Sequence, residues 1–136
     1  MTATFGTKID RVEYVVREGA YAVIVDDKSV AAIQGGGGFY LPGGGIEVNE
    51  NHNTTLVREL EEECGASIEI LDLIGQATDF LFSPTENCHF EKRGTFYRGR
   101  FTSRPNQNLV WVPVLESAKL FRQQGHAWAV LNALVH

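Results

Sequence analysis

The chain has 136 residues, 43% of them hydrophobic, and a formal net charge of −5 at neutral pH; that length and apolar content suit one domain, residues 1–136, around one ordinary core. The acidic balance excludes a nucleic-acid polymer as the main partner, because neutralising a phosphate backbone requires a basic face. No apolar run of about 18 residues and no basic-then-apolar order at the N-terminus occurs, so neither a membrane span nor a secretory leader is expected and the cytoplasm is the expected location.

In chain order, "YAVIVDD" (21–27) and "SVAAIQ" (29–34) are short, apolar and β-branched, and Asp26-Asp27-Lys28 between them predicts a hairpin turn. Gly35–Gly38 and Gly43–Gly45 flank "FYLP" and predict loop with at most a short strand. The first cluster fits neither G-x-x-x-x-G-K-[ST] nor G-x-G-x-x-G, which rules out a P-loop or dinucleotide fold on spacing. From Asn51 a helical period runs to Gly65, a residue suited to the left-handed C′ position. Residues 67–82 predict a long or bent strand with Gly75 as a bulge. Polar "SPTENCHFEKRG" (83–94) predicts a loop.

Residues 95–102 and 109–114 alternate as strands, and 116–123 and 126–135 read as short helices, the second with Trp128, Val130, Leu131 and Leu134 as its apolar side. His126 reads as a capping or packing residue, and His136 as a lone terminal residue. Strands on both sides of one central helix, followed by more helix, predict an α/β sandwich on a mixed sheet. The two cysteines, Cys64 and Cys88, are far apart, which favours reduced thiols over a disulfide framework.

The 51–65 helix carries an anomaly. "RELEEECGA" (58–66) places Glu59, Glu61, Glu62 and Glu63 at the helix end where the macrodipole is already negative. Like charges at i,i+3 and i,i+4 cost roughly 0.2–0.5 kcal/mol each, and acids in the last turn cost a similar amount. At about 100° per residue, Glu59, Glu62 and Glu63 share an arc of roughly 100° and Glu61 lies outside it. Leu56, Val57, Leu60 and Cys64 form a separate apolar stripe. A solvated acidic face leaves the position and the scarcity of basic partners unexplained. Carboxylates on adjacent turns suit a hard divalent cation, magnesium or manganese, whose charge removes the repulsion and lets an acidic protein bind a polyphosphate.

Residues 44–66, "GGIEVNENHNTTLVRELEEECGA", resemble the Nudix box, G-x5-E-x7-R-E-U-x-E-E-x-G-U with U a bulky aliphatic residue, through Gly44, Glu50, Arg58, Glu59, Leu60, Glu62, Glu63 and Gly65. Ala66 departs from the usual aliphatic residue. The resemblance implies a Nudix-type α/β/α sandwich with a central mixed β-sheet and a pyrophosphohydrolase requiring Mg2+ or Mn2+. Its substrate would be a nucleoside diphosphate linked to another group. It further implies Glu62, Glu63 and the Gly43 carbonyl as metal ligands, and Glu59 as a further ligand or general base. Arg58 would hold the glutamates, Glu50 would brace the loop, and Glu61 would be replaceable.

Many relatives carry a further acid in a loop before a late strand, but "TSRPNQN" (102–108) has none, leaving Glu91, Glu86 and Asp79 as candidates. Relatives are often homodimers. Alternatives within the same resemblance are a pyrophosphatase of oxidised nucleoside triphosphates (8-oxo-dGTP type) and a non-catalytic nucleotide sensor. The intact glutamate set argues against the sensor. Substrate-contacting candidates are Arg93, Arg98, Arg100 and Arg104 for phosphate and Phe80, Phe82, Phe90 and Tyr97 for a base, set against solvated strand faces and core aromatics.

Overall fold

Two sheets arise from the alternating segments in the computed structural model, which describes residues 1–135; His136 lies outside the described residues. The elements are β1 (Thr2–Phe5), β2 (Tyr14–Val23), β3 (Val25–Asp26), β4 (Ser29–Gly35), β5 (Gly38–Tyr40), β6 (Gly43–Gly45), α1 (His52–Cys64), β7 (Ile68–Ser83), β8 (Cys88–Phe101), β9 (Leu109–Pro113), α2 (Ser117–Leu120) and α3 (Gln124–Val135). The larger sheet runs β1-β7-β8-β2-β6 and is mixed: β1 with β7 and β2 with β8 are parallel, β7 with β8 and β2 with β6 antiparallel. In the smaller sheet, β4 pairs with β3, β5 and β9.

Strand alternation sends successive β2 side chains to opposite faces. Ala20 and Ala22 pack with Leu56, Leu60 and Cys64 of α1. Val23 joins Phe96, Ala127 and Val130 on the α3 side, with Tyr21 packed against that cluster. Helices on both faces of a mixed sheet make the α/β/α sandwich that the sequence predicts. No helix among the described residues is long and apolar enough to cross a membrane.

Helix α1 has the predicted ends. Asn51 Oδ1 accepts the Thr54 N–H at 2.8 Å, and Gly65, at φ 63°, donates its N–H to Glu61 O. Several expectations need correction. Strand β2 begins at Tyr14, seven residues earlier than the apolar run suggests, and ends before Ile24. The expected 83–94 loop is a tight turn, and β8 is already under way at Cys88, paired with β7 along the whole hairpin. Pairing partners far along the chain, rather than local composition, make these charged residues a strand. The 116–123 helix shrinks to a 3-10 turn and Ser117–Leu120. On α3, Leu131 and Leu134 are about half exposed, while Gly125, His126, Ala127, Ala129 and Val130 are buried. Of the predicted apolar side, Trp128 and Val130 pack into the core, while Leu131 and Leu134 point away and small residues bring the helix close to the sheet.

Candidate active site

The glycines that precede α1 form the exposed edge of the larger sheet. Strand β6 pairs only with β2, and the bond from Ala22 N–H to Pro42 O makes Tyr21 and Gly43 a non-hydrogen-bonded pair. In that register, the N–H and C=O of Gly43 and Gly45 point to the free edge. There the Gly43 N–H donates to Glu63 Oε1 at 2.9 Å, and Gly45 O accepts from Arg58 at 3.1 Å.

At Gly43 a side chain larger than hydrogen does not fit, and at Gly44 it fits only if Glu59 moves. A Cβ on Gly43, whose φ is 137°, would lie 2.2 Å from Ala20 O, and a Cβ on Gly44 would lie 2.6 Å from the Glu59 carboxylate.

Arg58 is the hub. Its Nε donates to Glu50 Oε2 at 2.7 Å, one terminal nitrogen to Glu50 Oε1 at 2.9 Å, and the other to Glu59 at 2.9 Å and Glu62 at 3.3 Å. Glu50 also accepts from the Glu47 N–H and the Thr55 hydroxyl, so one carboxylate closes the loop between β6 and α1. These bonds, the Arg58 guanidinium first, hold the Glu50 carboxyl down at about 2.

Glu63 behaves in the opposite way. Burial, then the charges of Glu59 and Glu62, outweigh its bond to Gly43 and push its carboxyl up to about 8. Glu59 is raised as well, chiefly by burial, against the pull of Arg58. Glu62 is 58% exposed, and Glu61 is exposed, without a side-chain partner among the described residues.

As they stand, no three His, Cys, Asp or Glu side chains among the described residues cluster tightly enough to hold a metal ion. Arg58 occupies the space between Glu59 and Glu62, and Glu63 is turned onto Gly43. The donor set nevertheless fits a hard cation: carboxylate oxygens, an outward glycine carbonyl, a cradle only glycine leaves open for Glu59, and a crowding of carboxylates around Glu63 that a cation's charge would relieve.

The candidates outside the box lie elsewhere. Glu91 is buried against Arg93 at 2.5 Å, with Lys8 at 3.8 Å. The Asp79 carboxylate accepts the Gly125 N–H at 3.1 Å and so anchors the start of α3. Glu86 lies at the tip of the β7–β8 hairpin. Arg98 pairs with Asp72 and Arg100 with Glu69 on the sheet surface. Of the aromatics, Phe90 is buried, Tyr97 bonds His52 Nδ1 at 2.6 Å, and Phe82 is 49% exposed.

Beside the glycine edge, on the α3 face of the sheet, lie two cavities of about 90 and 290 Å³ that share Lys92 and Gln123 as walls. The smaller is bordered by Arg17, Tyr21 and Gly45, the larger by Tyr40, Phe82, Phe90 and Arg122. Of the cavity walls, the sequence suggested Phe82 and Phe90 as base-stacking candidates, Arg93, at the smaller cavity, as a phosphate contact, and Glu86, at the larger, as a candidate acid. The readable signal for Lys92 was the alternation Phe90, Lys92, Gly94, which puts it on one face beside Arg17. A larger cavity of about 480 Å³, lined by Asp27, Lys28, Pro113, Val114, Leu115 and Leu134, shares no residue with the glutamate site.

The NUDIX domain family model matches residues 15–131. No curated protein sequence matches. Similar solved structures include a NUDIX hydrolase from Nitrosomonas europaea (16% identity, 87% of this chain and 88% of that one, TM-score 0.68) and a MutT NUDIX hydrolase from Burkholderia pseudomallei (22%, 87% and 98%, TM-score 0.65). Another is an ADP-ribose pyrophosphatase from Streptococcus suis (19%, 88% and 92%, TM-score 0.61). At these identities the likeness is one of fold.

Proposed function

The chain belongs to the NUDIX family as a Nudix pyrophosphohydrolase, and from that premise we propose that it hydrolyses the diphosphate linkage of a nucleoside diphosphate derivative with a divalent cation, Mg2+ or Mn2+. The observation that carries the reading is the glycine edge of β6. Glu63 binds there and Glu59 packs there, under the Arg58–Glu50 lock, next to a cleft walled by Arg17, Lys92 and Arg122.

Glu59, Glu62, Glu63 and the Gly43 carbonyl would hold the cation. When bound, it would neutralise diphosphate oxygens and make water a better nucleophile. The chain's own contribution is placement and proton handling. Arg58 and Glu50 fix the α1 carboxylates against the loop, and Glu59, only 17% exposed and raised by burial, accepts the proton of the attacking water at its carboxylate. Arg17 and Lys92, on one face of adjacent strands, offset phosphate charge, and Tyr40 at the other end of the cleft offers aromatic surface to a base.

The test is release of phosphate or nucleoside monophosphate from a nucleotide panel with magnesium, comparing the wild type with Glu62→Gln. Turnover of a nucleoside diphosphate derivative with a loss on the order of 10²-fold or more in the variant is expected. A wild type inactive on every substrate, or a variant as fast as the wild type, refutes the reading. Faster turnover of oxidised nucleoside triphosphates than of diphosphate derivatives would select the sanitising alternative instead.

A further inference from the structure

The Leu41–Gly45 segment is gripped from both faces of the sheet. From the α1 side, Glu63 takes the Gly43 N–H. From the α3 side, the Leu41 N–H donates to His126 Nδ1 at 3.0 Å, with both residues 1% exposed. Leu41 lies between β5 and β6, where the chain leaves the smaller sheet for the larger one and has no ladder partner to offer.

The ring is itself held. Asp79 accepts the Gly125 N–H and fixes the first turn of α3. Tyr21, Phe96 and Tyr40 surround His126, with ring centroids 4.4, 5.5 and 6.1 Å away. Accepting at Nδ1 leaves the proton of a neutral ring on Nε2, and that nitrogen is buried with no partner among the described residues. An unpaired buried donor costs more than one ordinary hydrogen bond returns. An apolar ring would remove that cost but leave the buried Leu41 N–H unpaired in its place, so the imidazole differs from an apolar ring less in total stability than in what it holds. What it supplies, and an apolar ring cannot, is a rigid acceptor two residues upstream of Gly43.

We propose that His126 is a positioning residue: through Leu41 it sets where Gly43 and Gly44 meet the carboxylates of α1. The inference rests on the reading of that edge as the hydrolytic site. Neither the box nor the cleft contains His126, and it touches no reacting atom.

Three variants separate acceptor from bulk. His126→Asn puts an oxygen close to where Nδ1 stood, His126→Leu keeps bulk without an acceptor, and His126→Gln moves the acceptor outward. Backbone amide hydrogen exchange should show Leu41 and Gly43 exchanging at least about 10-fold faster in the Leu and Gln variants, with β7–β8 amides unchanged and the Asn variant near wild type. Turnover with magnesium should fall on the order of 10- to 100-fold in kcat for Leu and Gln, with nucleotide KM little changed and Asn recovering most of the rate.

Faster exchange throughout the molecule, an Asn variant no better than Leu or Gln, or a loss confined to KM overturns the proposal. If Leu fails to fold, the contrast between Asn and Gln decides it. A wild type inactive on every nucleotide would sink the hydrolase reading, while the exchange arm still decides His126.

Discussion

Helices α1 and α3 lie on opposite faces of the same sheet, and both reach the same short segment by different means. Helix α1 holds Gly43 with a carboxylate from a crowded acidic face that Arg58 only partly neutralises. Helix α3 holds Leu41 with a neutral imidazole in an aromatic enclosure. The first grip is electrostatically unsettled and only part-buried, as suits the proposed exchange of its own contacts for a cation and a substrate. The second is dry and fixed, as suits a reference point. A charge-crowded half and a dry, aromatic half meeting on one glycine strand is a division of labour that single substitutions can break on either side.

The largest expected effect falls on the α1 side. In Gly44→Ala the new Cβ would sit 2.6 Å from the Glu59 carboxylate, the far end of a flexible side chain that can swing away. Folding should hardly notice: losing an Arg58–Glu59 contact costs about 0–1 kcal/mol, and replacing glycine by alanine returns about 0.4–1. Turnover should drop on the order of 100-fold, because the displaced group is the proposed base. Gly45→Ala is the control, since its nearest neighbour is 4.0 Å away. Thermal melts and kcat on the two proteins check the pair; equal activities would detach Glu59 from the chemistry.

The α3 side gives an intermediate effect, visible in pH. Burial pushes the His126 imidazole from an ordinary 6.5 down to about 3. Below pH 6.5 the unfolded chain therefore holds a proton the folded one refuses, and stability is lost as pH falls, by up to about 1.4 kcal/mol per unit. Glu63 acts with the opposite sign. Its folded carboxyl near 8 stabilises below the unfolded value of 4.5 and loses that contribution as pH rises through 8. The two oppose each other in the wild type, so the difference from His126→Asn is the informative quantity, because that variant, expected to keep the Leu41 contact, leaves Glu63 in the same surroundings. In urea unfolding between pH 6 and 4, the wild type should lose ground to the variant by about 1.4 kcal/mol per unit. A constant gap would mean that His126 is protonated in the folded protein.

The same contrast explains how much was readable beforehand. The α1 site was legible because its signals are local: Asn51 and Gly65 mark the ends, the period fixes which glutamates share a face, and the box carries the spacing. The α3 side was not. His126 earns its place from Leu41, 85 residues away, and Lys92 from Arg17 across parallel strands, and no window of sequence contains either pair. Leu131 and Leu134 looked like the packing face because they are large, yet small residues are what let α3 approach the sheet. The early start of β8 was hidden for a related reason. Its charged residues become a strand through β7 and β2, with Lys92 opposite Asp79 on one side and Arg17 on the other.

The smallest expected effect belongs to Glu61, and it tests whether position or mere charge defines the acidic face. Glu61 is exposed, has no side-chain partner among the described residues, and lies off the arc shared by Glu59, Glu62 and Glu63. Glu61→Gln removes one like charge from the last turn of α1 without touching the glycine edge. Relief of repulsion and of the dipole clash should stabilise the protein by roughly 0.3–0.5 kcal/mol, with turnover and magnesium dependence unchanged. Glu62→Gln changes the net charge by the same amount one residue along, so side-by-side kinetics isolate geometry from charge. If Glu61→Gln slows turnover as much as Glu62→Gln does, the site responds to the summed field of the helix end. The three-carboxylate assignment then fails, and with it the view of α1 as a helix that sorts its glutamates by face.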